Sequence, residues 1–91
     1  MSDYVLLVSV NDPIGFHARP IGQVVALVKQ SGIDVQIRRP GSEGVIATSP
    51  LKLLAMKVQH GETVELVIPE SAEQPEQLAA SLAEVINAEA K

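Results

Sequence analysis

The sequence predicts an α+β domain in which three helices cover one face of a four-stranded antiparallel or mixed sheet. Two observations predict it. The apolar residues change period along the chain in the order strand, helix, strand, strand, helix, strand, helix, or β-α-β-β-α-β-α. In two of the strand segments polar residues alternate with apolar ones, Asp34, Gln36 and Arg38 in one and Thr63 and Glu65 in the other. One sheet face therefore meets water while the other meets helices. The chain has 91 residues, the size of one domain, and no internal repeat or low-complexity tract interrupts it, so residues 1–91 read as a single unit.

Tyr4 to Val10 is rich in Val and Leu and forms the first strand. Asn11, Asp12, Pro13 and Gly15 are turn residues that take the chain out of the sheet. Ile21, Val24, Val25 and Val28 then recur at i, i+3, i+4 and i+7, the stripe of an amphipathic helix. This helix starts near Ala18, because Pro20 fits only a first turn, where its missing N–H has no intrahelical partner. Gly32 stops it. Ile33, Val35 and Ile37 line one face of the second strand, and Val45 to Ala47 form the third after turn residues Pro40, Gly41 and Gly44. Ser49 followed by Pro50 is a helix start, with Ser as cap and Pro as first residue. Leu51, Leu54, Ala55 and Val58 are read as the inward face of this helix and Gly61 as its stop. Val64, Leu66 and Ile68 form the fourth strand. A last helix follows Pro75, with Leu78, Leu82 and Val85 inward and an acidic, solvated face that includes Glu73, Glu76, Glu84 and Glu89.

Composition excludes several classes of function. Only 2% of residues are aromatic, so platforms for stacking bases or sugar rings are lacking. The formal net charge of -4 argues against nucleic acid or an anionic membrane as partner. Without cysteine there is no disulfide, thiol nucleophile or thiolate metal site, and no His and carboxylate stand at metal-ligand spacing. No apolar run approaches the ~20 residues of a membrane span, and Met1-Ser2-Asp3-Tyr4 lacks the flank of a signal peptide. A cytoplasmic protein without membrane insertion is expected.

The chemistry concentrates in Gly15-Phe16-His17-Ala18-Arg19-Pro20, where the turn meets the first helix. Backbone N–H groups at a helix start have no intrahelical partner and, with the positive end of the helix dipole, form an anion site. Arg19 adds a planar, permanent charge that suits phosphate oxygens. A neutral imidazole at His17 is a nucleophile that can take up a phosphoryl group and release it again. Asp12 is either a partner of His17 or, the reading preferred here, a turn-forming residue.

This hexapeptide, between a first strand and the helix it opens, resembles the active-site signature of the HPr family. These are the histidine-containing phosphocarriers of the bacterial phosphoenolpyruvate-dependent sugar phosphotransferase system. The likeness extends through Ser49-Pro50-Leu51-Lys52-Leu53-Leu54-Ala55-Met56 to His60-Gly61, and in length and element order it covers essentially the whole chain. The resemblance implies an open-faced β-sandwich, a four-stranded antiparallel sheet with three helices on one face. It implies that His17 accepts a phosphoryl group on Nδ1 from Enzyme I and passes it to Enzyme IIA proteins, with Arg19 steadying the phosphate. No cofactor is implied, and the carrier is stoichiometric and monomeric. Ser49 falls on the serine that a kinase modifies in some relatives, and Ile21, Pro50, Leu51, Lys52 and Leu54 fall on the partner-docking surface.

The chain departs from the family at Ile21 and Gly22, where relatives have small residues, at Ile14, where enteric relatives have a polar one, and at Pro50, directly after the serine. The changes at Ile14, Ile21 and Gly22 motivate an alternative of another class, a regulatory docking module of the same fold, whereas Pro50 argues against a regulatory role for Ser49. A phosphocarrier of a nitrogen branch would share the chemistry and differ only in partner. The intact His17 and Arg19 favour the carrier. His60, read as lying at a helix C-terminus, is assigned a structural role. Lys29, Arg38 and Arg39 are either ordinary surface charge or contacts for acidic partners.

Overall fold

The computed structural model describes residues 3–88; Glu89, assigned above to the acidic face, lies outside them. The elements are β1 (Tyr4–Ser9), α1 (Ala18–Ser31), β2 (Gln36–Arg38), β3 (Val45–Ile46), α2 (Pro50–Ala55), β4 (Thr63–Ile68) and α3 (Pro75–Ile86). The strands form one antiparallel sheet in the order β1-β4-β2-β3. β4 therefore lies inside the sheet, between β1 (Leu6 opposite Leu66, Val8 opposite Val64) and β2 (Ile37 opposite Leu66). Val8, Ile37, Val64, Leu66 and Ile68 point into the core, where they meet Val24 and Val28 of α1, Leu53 of α2 and Leu82 and Ile86 of α3. The opposite face carries the cross-strand pair Arg38–Glu65, with Nε to Oε1 at 2.6 Å. Among the described residues no helix is long and apolar enough to cross a membrane.

α1 buries Ile21, Val24, Val25 and Val28, the stripe its sequence spells out. Gly32 closes it, its N–H bonding the Val28 and Lys29 carbonyls. β2 begins at Gln36, later than the alternation from Ile33 predicts. The Val35 N–H turns back to the Ile33 carbonyl at 3.0 Å, so it is lost to the ladder. Val35 and Ile37 remain buried and Asp34 and Gln36 exposed, so the period is right although the ladder is shorter.

α2 differs more. Lys57 adopts a left-handed conformation (φ 54°), which ends the helix at Ala55 and drops Val58 into the core from an extended segment. The inward residue of α2 is Leu53, while Leu51 is 80% exposed and Ala55 is exposed. Gly61 therefore does not stop a helix. It occupies, at φ 91°, the third place of a turn in which the Glu62 N–H bonds the Gln59 carbonyl at 3.1 Å. His60 lies in this turn, away from any helix terminus, so the role assigned to it from sequence does not hold. In α3 the buried positions are Ala79, Leu82 and Ile86, with Leu78 and Val85 at the flanks, a rotation of the inward face from the one predicted.

The position of Leu53 makes a direct test of this frame. Leu53→Ala should cost about 2–5 kcal/mol, the range for emptying a buried leucine site. Leu51→Ala should change stability by about 0.5 kcal/mol or less. Urea denaturation of both variants checks this, and equal losses would contradict the orientation of α2.

Candidate functional site

After β1 the chain stays tied to the Gln59–Glu62 turn. The Val10 N–H donates to the Glu62 carbonyl and the Gly61 N–H to the Val10 carbonyl, both at 2.8 Å. Asn11, Asp12 and Pro13 then reverse direction. Asp12 Oδ1 accepts from the Ile14 N–H at 2.9 Å and its carbonyl from the Gly15 N–H at 3.0 Å, an Asx turn. Gly15 takes φ 82° and lies so close to the Val58 carbonyl that a Cβ would collide with it. The next N–H, of Phe16, donates to that same carbonyl at 2.9 Å, and the Phe16 ring is buried. His17 follows as the N-cap of α1 in extended conformation, its carbonyl accepting from the Ile21 N–H at 3.1 Å.

The imidazole is not free to rotate. Nε2 lies 3.1 Å from Asp12 Oδ2, with the His17 side chain 25% exposed and the Asp12 side chain 1% exposed. Burial penalises the Asp12 carboxylate, but the donors at Ile14, His17 and Gly15 outweigh that cost and hold its pKa below the ordinary 3.8. An ionised carboxylate only accepts, so Nε2 carries the proton and Nδ1 the lone pair. Ala18 and Arg19 supply the first-turn N–H groups beside His17, since Pro20 has none, and Arg19 itself is exposed. A histidine with a nucleophilic nitrogen thus stands at the N-terminus of α1, two residues before Arg19, and a helix N-terminus favours anions.

Ser49 caps α2, its Oγ accepting from the Lys52 N–H at 3.3 Å. Pro50, Leu51 and Lys52 are exposed and Leu54 is half-buried. Ile21 is 1% exposed and belongs to the core, so it offers no docking surface, a correction to the sequence reading. It faces inward because it begins the apolar stripe of α1. Ile14, read from sequence only as a departure, is 67% exposed on the loop that holds His17.

The second site feature not seen in the sequence is a clamp behind the loop. Arg39 donates through Nε and a terminal nitrogen to both Glu62 oxygens, at 2.8 and 3.2 Å, and the Gln59 N–H donates to Glu62 Oε2 at 2.6 Å. The bond from Arg39, then that from Gln59, lowers the Glu62 pKa. Arg38 and Arg39 thus both hold acidic partners within the fold, and Lys29 lies in the last turn of α1. Among the described residues no three His, Cys, Asp or Glu side chains are grouped to hold a metal ion.

Comparison with known proteins places these features in context. The family described as "PTS HPr component phosphorylation site" (PTS-HPr) matches residues 7–88. No curated protein sequence matches the chain. Among solved structures, HPr-C-His from Thermoanaerobacter tengcongensis superposes with a TM-score of 0.80 at 19% identity, covering 94% of this chain and 93% of that one. The phosphocarrier protein HPr from Bacillus anthracis gives 0.78 at 20% identity, covering 91% and 95%. Crh of Bacillus subtilis, a catabolite repression protein described as a domain-swapped dimer, gives 0.67 at 26% identity, covering 92% and 93%. The first two likenesses are to the fold.

The lowered pKa of Asp12 has a consequence for stability. A carboxyl that is more acidic folded than unfolded stabilises the fold above its unfolded pKa, and the contribution is lost as pH falls through the folded pKa. Below about pH 4 the wild-type protein should therefore lose stability more steeply than Asp12→Asn. Urea denaturation between pH 2.5 and 6 reads this, and parallel curves for the two proteins would contradict the assignment.

Proposed function

This chain belongs to the PTS-HPr family, and we propose from that premise that it is a phosphoryl carrier. In this reading His17 accepts a phosphoryl group from phosphorylated Enzyme I and donates it to Enzyme IIA proteins. The observation that carries the proposal is the state of the His17 ring: Nε2 is committed to Asp12 at 3.1 Å, and Nδ1 keeps its lone pair at the start of a 14-residue helix.

The Nδ1 lone pair attacks phosphorus as the bond to the donor breaks, the donor nitrogen keeping that bonding pair. Such transfer demands positioning and charge stabilisation more than covalent chemistry. The Ala18 and Arg19 N–H groups and the Arg19 guanidinium supply the charge stabilisation, and the loop bonds from Phe16 to Val58 and from Ile14 to Asp12 supply the positioning. Donation runs the same steps backwards. The protein performs no turnover of its own and needs no cofactor.

Partners dock on the exposed part of α2, with Leu51 as the apolar contact, Pro50 and the edge of Leu54 beside it, and Lys52 facing an acidic surface. Ser49 serves first as the cap of α2. Phosphorylation there by a serine kinase would add about -1.5 to -2 charge units at that surface and oppose an acidic partner.

Two measurements test the proposal. Incubated with phosphoenolpyruvate and Enzyme I, the protein should gain the mass of one phosphoryl group, stable in base and lost in acid, and His17→Ala should gain none while remaining folded by circular dichroism. Label that persists in His17→Ala would overturn the assignment. In the same assay Leu51→Asp should raise the apparent KM for Enzyme I by about tenfold, the size of one 1.4 kcal/mol contact. Lys52→Glu should raise it more at low than at high salt, because screening removes the difference. Normal kinetics in both variants would place the docking surface elsewhere.

A further inference from the structure

Asp12 is more than a turn residue. It is the only buried polar or charged residue among the described residues. Buried carboxylates are costly unless each oxygen finds a donor, and here both do. Oδ1 takes the Ile14 N–H at 2.9 Å and Oδ2 takes His17 Nε2 at 3.1 Å. The turn needs only the first of these, and a serine or asparagine oxygen would serve it. What the second oxygen and the negative charge add is directed at the imidazole.

We propose that Asp12 is a positioning residue for phosphoryl transfer, fixing the proton of His17 on Nε2 before transfer and balancing the charge of the ring after it. The inference rests on His17 being the phosphoryl acceptor. When Nδ1 gives its lone pair to phosphorus, the N–P bond forms, the donor's bond to phosphorus breaks, and the donor keeps the electron pair. The proton on Nε2 stays, so the phosphorylated ring carries one positive charge, and the Asp12 carboxylate stands against it. On donation the N–P electron pair returns to Nδ1 and the neutral Nε2–H ring is restored. Neither direction moves a proton on or off His17. The cationic ring is also the better leaving group, so the arrangement keeps the phosphoryl group transferable.

Asp12→Asn separates charge and tautomer from shape. The amide has one oxygen, and the fixed Ile14 N–H claims it. The NH2 group then faces Nε2 and demands a lone pair there, which moves the ring proton to Nδ1 and blocks the acceptor. A tautomer change of this kind in a Ser-His-Asp triad costs ~10⁴-fold in rate. Asp12→Ser keeps an oxygen for the Ile14 N–H but reaches no further, so it frees the ring while sparing the turn, and it decides the question if the asparagine variant does not fold. Long-range 1H–15N spectra of the unphosphorylated proteins at pH 8 should show Nε2–H in the wild type, Nδ1–H in Asp12→Asn and a mixture in Asp12→Ser. Phosphorylation by Enzyme I and phosphoenolpyruvate should slow at least about tenfold in Asp12→Asn and less in Asp12→Ser. If both variants keep the wild-type tautomer and rate, the role given to Asp12 is wrong. The spectra judge Asp12 independently of the label, whereas a wild-type protein that takes no label on His17 overturns the carrier reading itself.

Discussion

The Asp12 carboxylate lies out of water with a backbone N–H on one oxygen and the His17 ring on the other. A charge buried in this way admits few arrangements of its neighbours, because any rotation that breaks one bond leaves an ionised oxygen unpaired. The Ile14 N–H fixes where the carboxylate sits, and the carboxylate fixes where Nε2 sits. Since His17 is also the N-cap residue of α1, its backbone is fixed by the helix while its ring is held by the loop. The direction of Nδ1 follows from these two attachments.

The attachments work only because the loop cannot move as a whole. It is pressed against the segment after α2, with the Val58 carbonyl taking the Phe16 N–H and filling the space where a Gly15 side chain would stand. That segment is in turn pinned by Glu62, whose carboxylate holds both Arg39 and the Gln59 N–H while its carbonyl holds Val10. Residues from three separate connections, after β1, after β2 and after α2, therefore support one histidine. The shortness of α2 belongs to the same arrangement: a helix carried on through Val58 would commit that carbonyl to helix bonds and deny it to Phe16.

Much of this was legible in the chain, and for a physical reason. α1, its start beside His17 and the Ser49–Pro50 start of α2 are encoded by residues next to or a few places from one another, so period and capping chemistry reveal them. The alternation in 33–37 and 63–68 likewise gave the sheet face correctly, even where the ladder of β2 is shorter. What the sequence hid depends on contacts between distant or irregular segments. Lys57 takes a left-handed conformation without being glycine, so nothing local announced the end of α2, and Leu51 was placed on the wrong face. Ile21 was assigned both to the apolar stripe of its helix and, by resemblance, to the docking surface, and only the first holds, because it begins the buried stripe. Asp12 and His17 are five residues apart across a turn of no regular period, and Arg39 and Glu62 are 23 apart, spacings that no helical or strand pattern reports.

The central claim is that the Asp12–His17 pair leaves Nδ1 as the nitrogen that carries the phosphoryl group. Phosphorus NMR of the 15N-labelled protein, phosphorylated through Enzyme I, tests it most directly, because the one-bond coupling identifies the nitrogen bound to phosphorus. The account predicts coupling to Nδ1 of His17. Coupling to Nε2, which would require the bond to Asp12 to break before transfer, would contradict it.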